Sequence, residues 1–129
     1  MATEPLPLFV YGTLRRGHGN EFARLLHGAS DFVSVGRVRG KLYRIAHYPG
    51  LVEASGADSD SWVAGEIWRP REDPDGLLKR LDDYEGEPYG RVQRPVETAA
   101  GRVDCWIYLY LESVAEKAEI ISGDWLADV

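Results

Sequence analysis

YGRVQRPVE (Tyr89 to Glu97), then Thr98-Ala99-Ala100-Gly101, then RVDCWIYLYL (Arg102 to Leu111) is the stretch that decides the fold. Both long segments are rich in β-branched and aromatic residues, and a short turn ending in glycine divides them. They read as two strands of an antiparallel hairpin. The second alternates: Val103, Cys105, Ile107, Leu109 and Leu111 face one way, and Asp104, Trp106, Tyr108 and Tyr110 the other. Two consecutive strands with no helix between them argue against alternating strand-helix winding.

Upstream of the hairpin, Asp73-Pro74 offers an N-cap followed by proline in the first helical position. The helix is expected to run to about Glu85, with Gly86 as its stop. Leu77, Leu78, Leu81 and Tyr84 form its apolar stripe. Before it, Trp62 to Trp68 reads as a strand, with Trp62, Ala64, Glu66 and Trp68 on one face and Val63, Gly65 and Ile67 on the other. SGADSDS (Ser55 to Ser61) reads as an exposed loop. Lys41 to Ile45 is a short strand, Tyr48-Pro49-Gly50 a turn, and Leu51 to Glu53 extended. Asp31 to Val38 is strand-like and broken by Gly36. Asn20 caps a short helix over Glu21 to His27 that Gly28 ends, and Gly17, His18 and Gly19 form a loop before it. LPLFVY (Leu6 to Tyr11) is a buried strand that stops in a tight turn at Gly12. The sum is six or seven strands and two short helices. The expected fold is therefore α+β: a small mixed β-barrel, closed or nearly so, with two flanking helices at its rim.

The chain has 129 residues and 44% hydrophobic content, which suits one domain over 1–129, with a core at about 6–111 and a tail at 112–129. A formal charge of -6 argues against sequence-independent nucleic-acid binding and against adhesion to anionic membranes. No run approaches the ~20 apolar residues of a membrane span. Met1 to Pro7 lacks the positive-plus-apolar pattern of a secretion signal. The single cysteine excludes an internal disulfide and fits a reducing compartment, so a cytoplasmic protein is expected. A monomer or a weak homodimer would fit equally.

Glu85 is the first chemical candidate. It lies one turn beyond Leu81, within the arc of the apolar stripe, whereas Asp83 points away and Asp82 sits at the border. So Asp82 and Asp83 read as solvated and Glu85 as inward. An inward carboxylate is desolvated, its pKa rises, and it can shuttle a proton near neutrality. The residues alone leave a second outcome open: the last turn frays at Gly86 and Glu85 swings into water. The other candidate is Tyr11-Gly12-Thr13-Leu14. A glycine just after a buried strand lets the following amides converge on an anion, though an ordinary turn needs glycine too.

Gly12 and Gly17 have the spacing of a phosphate-binding loop, but His18 and Gly19 stand where lysine and Ser/Thr are required. His18, His27, His47 and Cys105 lack metal-ligand spacing, so no metal and no cofactor is expected. Cys105 shares a face with Val103, Ile107 and Leu109 and reads as a buried, inert thiol. The Trp106, Tyr108 and Tyr110 face reads as packing under a helix, or as a stacking surface for a ligand. Arg16 and Arg91, taken singly, read as solvated surface residues, with pairing to a substrate carboxylate as the other reading.

Two pieces then agree. Tyr11-Gly12-Thr13-Leu14 closes the first strand, and Leu81-Asp82-Asp83-Tyr84-Glu85-Gly86 closes the second helix. With Gly36 to Leu42 leading to Tyr48-Pro49, Gly65-Glu66-Ile67-Trp68, and Tyr89 with Arg91 or Arg94, the chain resembles the γ-glutamylcyclotransferase-like superfamily, in its AIG2-like, γ-glutamylamine cyclotransferase branch. The resemblance covers about Leu8 to Leu111. It implies a small barrel with flanking helices and a cavity between Tyr11 to Leu14 and Glu85, with Tyr48 and Tyr89 as further substrate-binding residues. It implies conversion of a small γ-glutamyl substrate to 5-oxoproline, with Glu85 as acid/base and no metal or cofactor. The loops that would set the leaving group are Arg15 to Asn20, Ala46 to Gly50 and Glu87 to Gly90. Two other readings stay open: a non-catalytic small-molecule-binding module of the same fold, and an anion- or nucleotide-binding protein using Gly12 to Gly19. Trp125 in the tail docks on the barrel or closes the cavity.

Overall fold

The structure is a computed structural model, and it describes residues 6–16, 20–53 and 61–128. Most of the expected loops at Gly17-His18-Gly19 and Ser55 to Ser61 lie outside the described residues. The hairpin forms as expected: β6 (Tyr89–Thr98) pairs antiparallel with β7 (Gly101–Tyr110) from Tyr89↔Tyr110 to Thr98↔Gly101. Around it the chain builds β1 (Leu8–Val10), α1 (Glu21–Ala29), β2 (Ser30–Arg39), β3 (Lys41–Arg44), β4 (Pro49–Val52), β5 (Trp62–Pro70) and α2 (Pro74–Glu85). Then β8 (Ala118–Glu119) and a final 3-10 turn (Trp125–Asp128) follow the hairpin. The barrel closes in the order β1-β5-β2-β6-β7. Closure depends on β1, which lies antiparallel to β5 and parallel to β7, where the Trp106 amide donates to the Pro7 carbonyl at 2.9 Å.

Alternation along β1 explains how three residues hold two layers together. Phe9 points into the barrel with Val38, Val63, Ile67, Val96 and Ile107. Leu8 and Val10 point outward into a second cluster with Leu26 of α1 and Leu77, Leu78 and Leu81 of α2. Leu8, Phe9 and Leu81 have no exposed surface. Trp106 and Tyr108 pack in that second layer with the helices, whereas Tyr110 of the same face lies against Tyr89 and Gly50. Cys105 points into the barrel interior, fully buried, and burial pushes its thiol up to about 12. An alkylating reagent at neutral pH is therefore expected to label Cys105 only when denaturant is added. Rapid labelling of the folded chain, read by mass spectrometry, would contradict this packing.

Several boundaries differ from expectation. The strands number eight among the described residues, against six or seven. Gly28 does not end α1, which runs on to Ala29 until Ser30 turns extended as the C-cap. Gly36 does not break β2: it pairs with Gly65, and a Cβ there would meet Val96 Cγ1 at 2.8 Å. The irregularity is instead a bulge between Phe32 and Ser34. Pro49 and Gly50 belong to β4 rather than to a turn, and Ile45 and Ala46 amides close the turn on the Tyr48 carbonyl at 3.1 and 3.2 Å. The segment after 111 is more than a tail. Its β8 joins β3, giving a second sheet β4-β3-β8, and the Gly123 carbonyl accepts from the Ala64 amide at 2.8 Å. Trp125 docks in the barrel core cluster with Arg44 over its ring, away from the cavity. None of the described helices is long and apolar enough to cross a membrane.

Candidate active site

The turn after β1 is held from behind. Tyr11 is buried, and its hydroxyl donates to the Tyr108 carbonyl at 2.6 Å while accepting from the Leu51 amide at 3.2 Å. Its polar end is thus a strut between β7 and β4. Burial, with the nearby Glu85 charge second, keeps that phenol well above its ordinary pKa. Gly12 is glycine because the backbone passes against Pro49, whose Cγ would lie 2.7 Å from an added Cβ. The next three carbonyls are all taken. Gly12 accepts from the Arg15 amide at 3.1 Å, Thr13 from Asn20 Nδ2 at 2.6 Å, and Leu14 meets His27 Nε2 at 2.8 Å. Asn20 also caps α1, its Oδ1 accepting from the Ala23 amide at 2.7 Å. A trans peptide carries its N–H opposite its C=O. The amides of Thr13 and Leu14 therefore face away from these partners, and among the described residues no acceptor meets them.

Opposite this turn stands Glu85, the last residue of α2. The helix does not fray. Asp73 caps its start, with Oδ1 accepting from the Gly76 amide at 3.3 Å, and Pro74 follows in the first turn. At the other end Gly86 adopts φ 83°, and its amide donates to the Asp82 carbonyl at 3.0 Å. Glu85 is held half-buried, lining one pocket with Tyr11, Gly12, Thr13, Leu14, Tyr48 and Tyr89. Every site residue expected from the sequence thus lines a single pocket. Its carboxylate has no hydrogen-bond partner among the described residues. Burial pushes its pKa up to about 7, with the Asp82 charge as a smaller cause. Tyr89 donates to the Pro49 carbonyl at 2.7 Å, which fixes one wall. An outer lobe adds His47 and Tyr84. Tyr84 is hydrogen-bonded to Thr13 Oγ1 at 3.0 Å and stacked on Phe22 at 4.3 Å.

Two sets of residues escaped the sequence reading. Asp82 is partly exposed, but its carboxylate is engaged by protein partners. Arg91 meets it through Nε at 2.8 Å and Nη2 at 3.1 Å, and the Tyr108 hydroxyl donates to Oδ1 at 2.7 Å. Burial would raise the Asp82 carboxyl, but these hydrogen bonds outweigh it and hold the group below its ordinary pKa. Arg91 is accordingly no free surface cation, and its guanidinium also lies 4.4 Å over the Trp106 ring. The second set centres on Glu66, only 3% exposed on β5. It accepts from the Arg16 amide at 2.9 Å and Trp68 Nε1 at 3.2 Å, and lies 3.7 Å from Arg15 Nε and 3.6 Å from Arg16 Nε. Arg15 continues to Asp124 at 2.8 Å. These contacts tie the site turn to β5 and, through Arg15, to the segment that follows β8. An acid on a face otherwise made of two tryptophans and an alanine was the signal for Glu66. Among the described residues, no three His, Cys, Asp or Glu side chains are placed to hold a metal ion.

The family model described as "Gamma-glutamyl cyclotransferase, AIG2-like" matches residues 8–127. A protein from Vibrio cholerae named putative gamma-glutamylcyclotransferase is 35% identical over 118 residues, covering 92% of this chain and 93% of its own. A rat gamma-glutamylaminecyclotransferase is 32% identical over 123 residues, covering 78% and 75%. Among solved structures, an AIG2-like protein from Mus musculus superposes with a TM-score of 0.70 at 29% identity, over 88% of this chain and 82% of that one. The family match reaches past Tyr110 into the segment that carries β8 and Trp125, in keeping with their part in the sheet and core. By sequence and by architecture, the chain belongs to the gamma-glutamyl cyclotransferase, AIG2-like family.

Proposed function

We propose that the chain converts a γ-glutamyl amine or γ-glutamyl amino acid to 5-oxoproline and a free amine, with Glu85 as the single acid/base. The observation that carries this reading is a pocket carboxylate, raised to about 7, with no hydrogen bond among the described residues. Such a group is ionised often enough to accept a proton at neutral pH and acidic enough to return it. Glu85 takes a proton from the substrate's α-ammonium. The freed amine attacks the γ-carbonyl carbon, closing a five-membered ring, and the amide C–N bond breaks as Glu85 returns that proton to the leaving nitrogen. Glu85 then carries the second proton of the ring nitrogen to the released amine, giving 5-oxoproline with a neutral lactam nitrogen and an ammonium product. Atoms and charge balance with no other reactant. The unengaged amides of Thr13 and Leu14 suit either the oxyanion or the substrate α-carboxylate. Tyr48, Tyr89 and Tyr11 wall the pocket and keep the glutamyl chain folded for attack.

The test is 5-oxoproline release from a panel of γ-glutamyl amines and γ-glutamyl amino acids. Release from at least one class is expected, and kcat/KM is expected to climb as Glu85 ionises, with a midpoint near 7. Absence of release from every member, from a chain that folds and binds them, would overturn the catalytic reading and leave a binding module.

A further inference from the structure

Glu85 is one member of a larger polar arrangement, and the residue one turn before it is the best-anchored acid near the pocket. Residues three apart on a helix are neighbours, with Cβ atoms about 5–6 Å apart. Asp82 is gripped by a two-point contact from Arg91 of β6 and by the hydroxyl of Tyr108 of β7. Tyr108 is itself tied through its carbonyl to Tyr11 at the site turn. One chain of contacts therefore joins α2, β6, β7 and the end of β1 around the pocket. We propose that Asp82 is a positioning residue for Glu85: clamped by Arg91 and Tyr108, it fixes the last turn of α2 and holds a like charge beside the Glu85 carboxylate.

The groups facing Glu85 leave Asp82 as the main charged neighbour. Tyr11, Tyr89 and Tyr108 come from the end of β1, from β6 and from β7, and all three phenols are pushed well above their ordinary pKa, by burial first. They stay neutral at physiological pH. Tyr84 of α2, with His47 and Tyr48 from the segment before β4, lines the outer lobe. Arg91 is the nearby cation, and it is spent on Asp82. The Asp82 charge is the second cause, after burial, of the raised Glu85 carboxyl.

This role rests on the proposed acid/base use of Glu85, but its test does not require turnover. The Glu85 side-chain carboxyl is titrated by 13C NMR in wild type, Asp82→Asn, Arg91→Met and Asp83→Asn. Asp82→Asn removes the like charge and leaves Arg91 unpaired, so the midpoint should fall from about 7 by on the order of one unit. Arg91→Met leaves Asp82 uncompensated, so the midpoint should rise. Asp83 is exposed on the far face, and its variant should not move it. In the wild-type chain the Arg91 Nε resonance should inflect at the Glu85 midpoint, a readout that needs no variant to fold. Opposite shifts in the first two variants, or that inflection where they do not fold, support the role. Unmoved Glu85 midpoints in folded variants, or a flat Arg91 signal, overturn it. Where 5-oxoproline is formed, the acid limb of its pH profile should move in the same two directions. NMR shifts without any 5-oxoproline would instead sink the acid/base reading alone.

Discussion

Glu85→Gln is expected to lower 5-oxoproline formation by about 10²–10⁴-fold, the usual contribution of a positioned acid/base. Glutamine keeps the size and the polar end of the side chain while removing its proton chemistry, so the pocket should still accept substrate. The substrate-induced rise in Tm should therefore persist in the variant. Stability offers an independent check with a definite sign. The folded carboxyl holds its proton up to about 7, against 4.5 ordinarily. Between those values the folded chain carries a proton that the unfolded chain has lost, so wild-type stability falls as pH rises through that window. The variant has no such loss. It should melt higher than wild type at pH near 8, with the advantage vanishing below the ordinary carboxylate range. A variant that is more stable at high pH and inactive is the pattern of a site that holds a costly charge for function. Full turnover in the variant would remove Glu85 from the mechanism, and an unchanged pH dependence of melting would remove its raised proton affinity.

How much of this was legible in the sequence depends on where each residue's partner lies. Asn20 and Asp73 accept from amides, and Gly86 donates its own amide to a carbonyl, all within a few positions along the chain, and all three caps sit where they were expected. Glu85 was legible for a related reason: its direction follows from the period of its own helix once Gly86 keeps the last turn wound. Glycines away from helix ends were not. Gly36 and Gly28 carry the same local signal for a break, yet Gly36 is in mid-strand because Val96 comes up against it from β6, and Gly28 leaves its helix intact. Pro49 and Gly50 read as a turn because nothing local reveals that β3 lies beside them. Asp82 lay at the border of its helix face, and only closure of the barrel brings Arg91 and Tyr108 to it. The segment beyond Leu111 lacks a long periodic run, so its place beside β3 was invisible before the sheet was seen.

Glu66→Leu is the substitution expected to cost most in stability, about 3–5 kcal/mol, because it removes the buried one of the two carboxylates that compensate the buried Arg15 cation. The Arg15 side chain is only 9% exposed, and its remaining partner Asp124 sits at 35%. Two further donors lose their acceptor at the same time, the Arg16 amide and Trp68 Nε1. The size of the loss does not mean that the ion pair is intrinsically strong. Much of it is the cost of desolvating the partner left behind, so Arg15→Met in the same chain should recover a large part of it. Asp124→Asn, which alters the more exposed arm, should cost about 1 kcal/mol or less. Urea midpoints of the two single variants and the double variant separate these contributions. The functional consequence reaches the pocket although Glu66 does not line it. Arg15 and Arg16 continue directly from Tyr11-Gly12-Thr13-Leu14, so freeing them loosens the turn that lines the pocket with Glu85. KM should rise in Glu66→Leu even at low temperature, where the chain is folded. The double variant should recover stability without recovering KM, since the Arg16 amide still lacks its carboxylate. Recovery of both together would mean that Glu66 serves the barrel alone, and an unchanged urea midpoint in Glu66→Leu would mean that Arg15 is better solvated than its burial indicates.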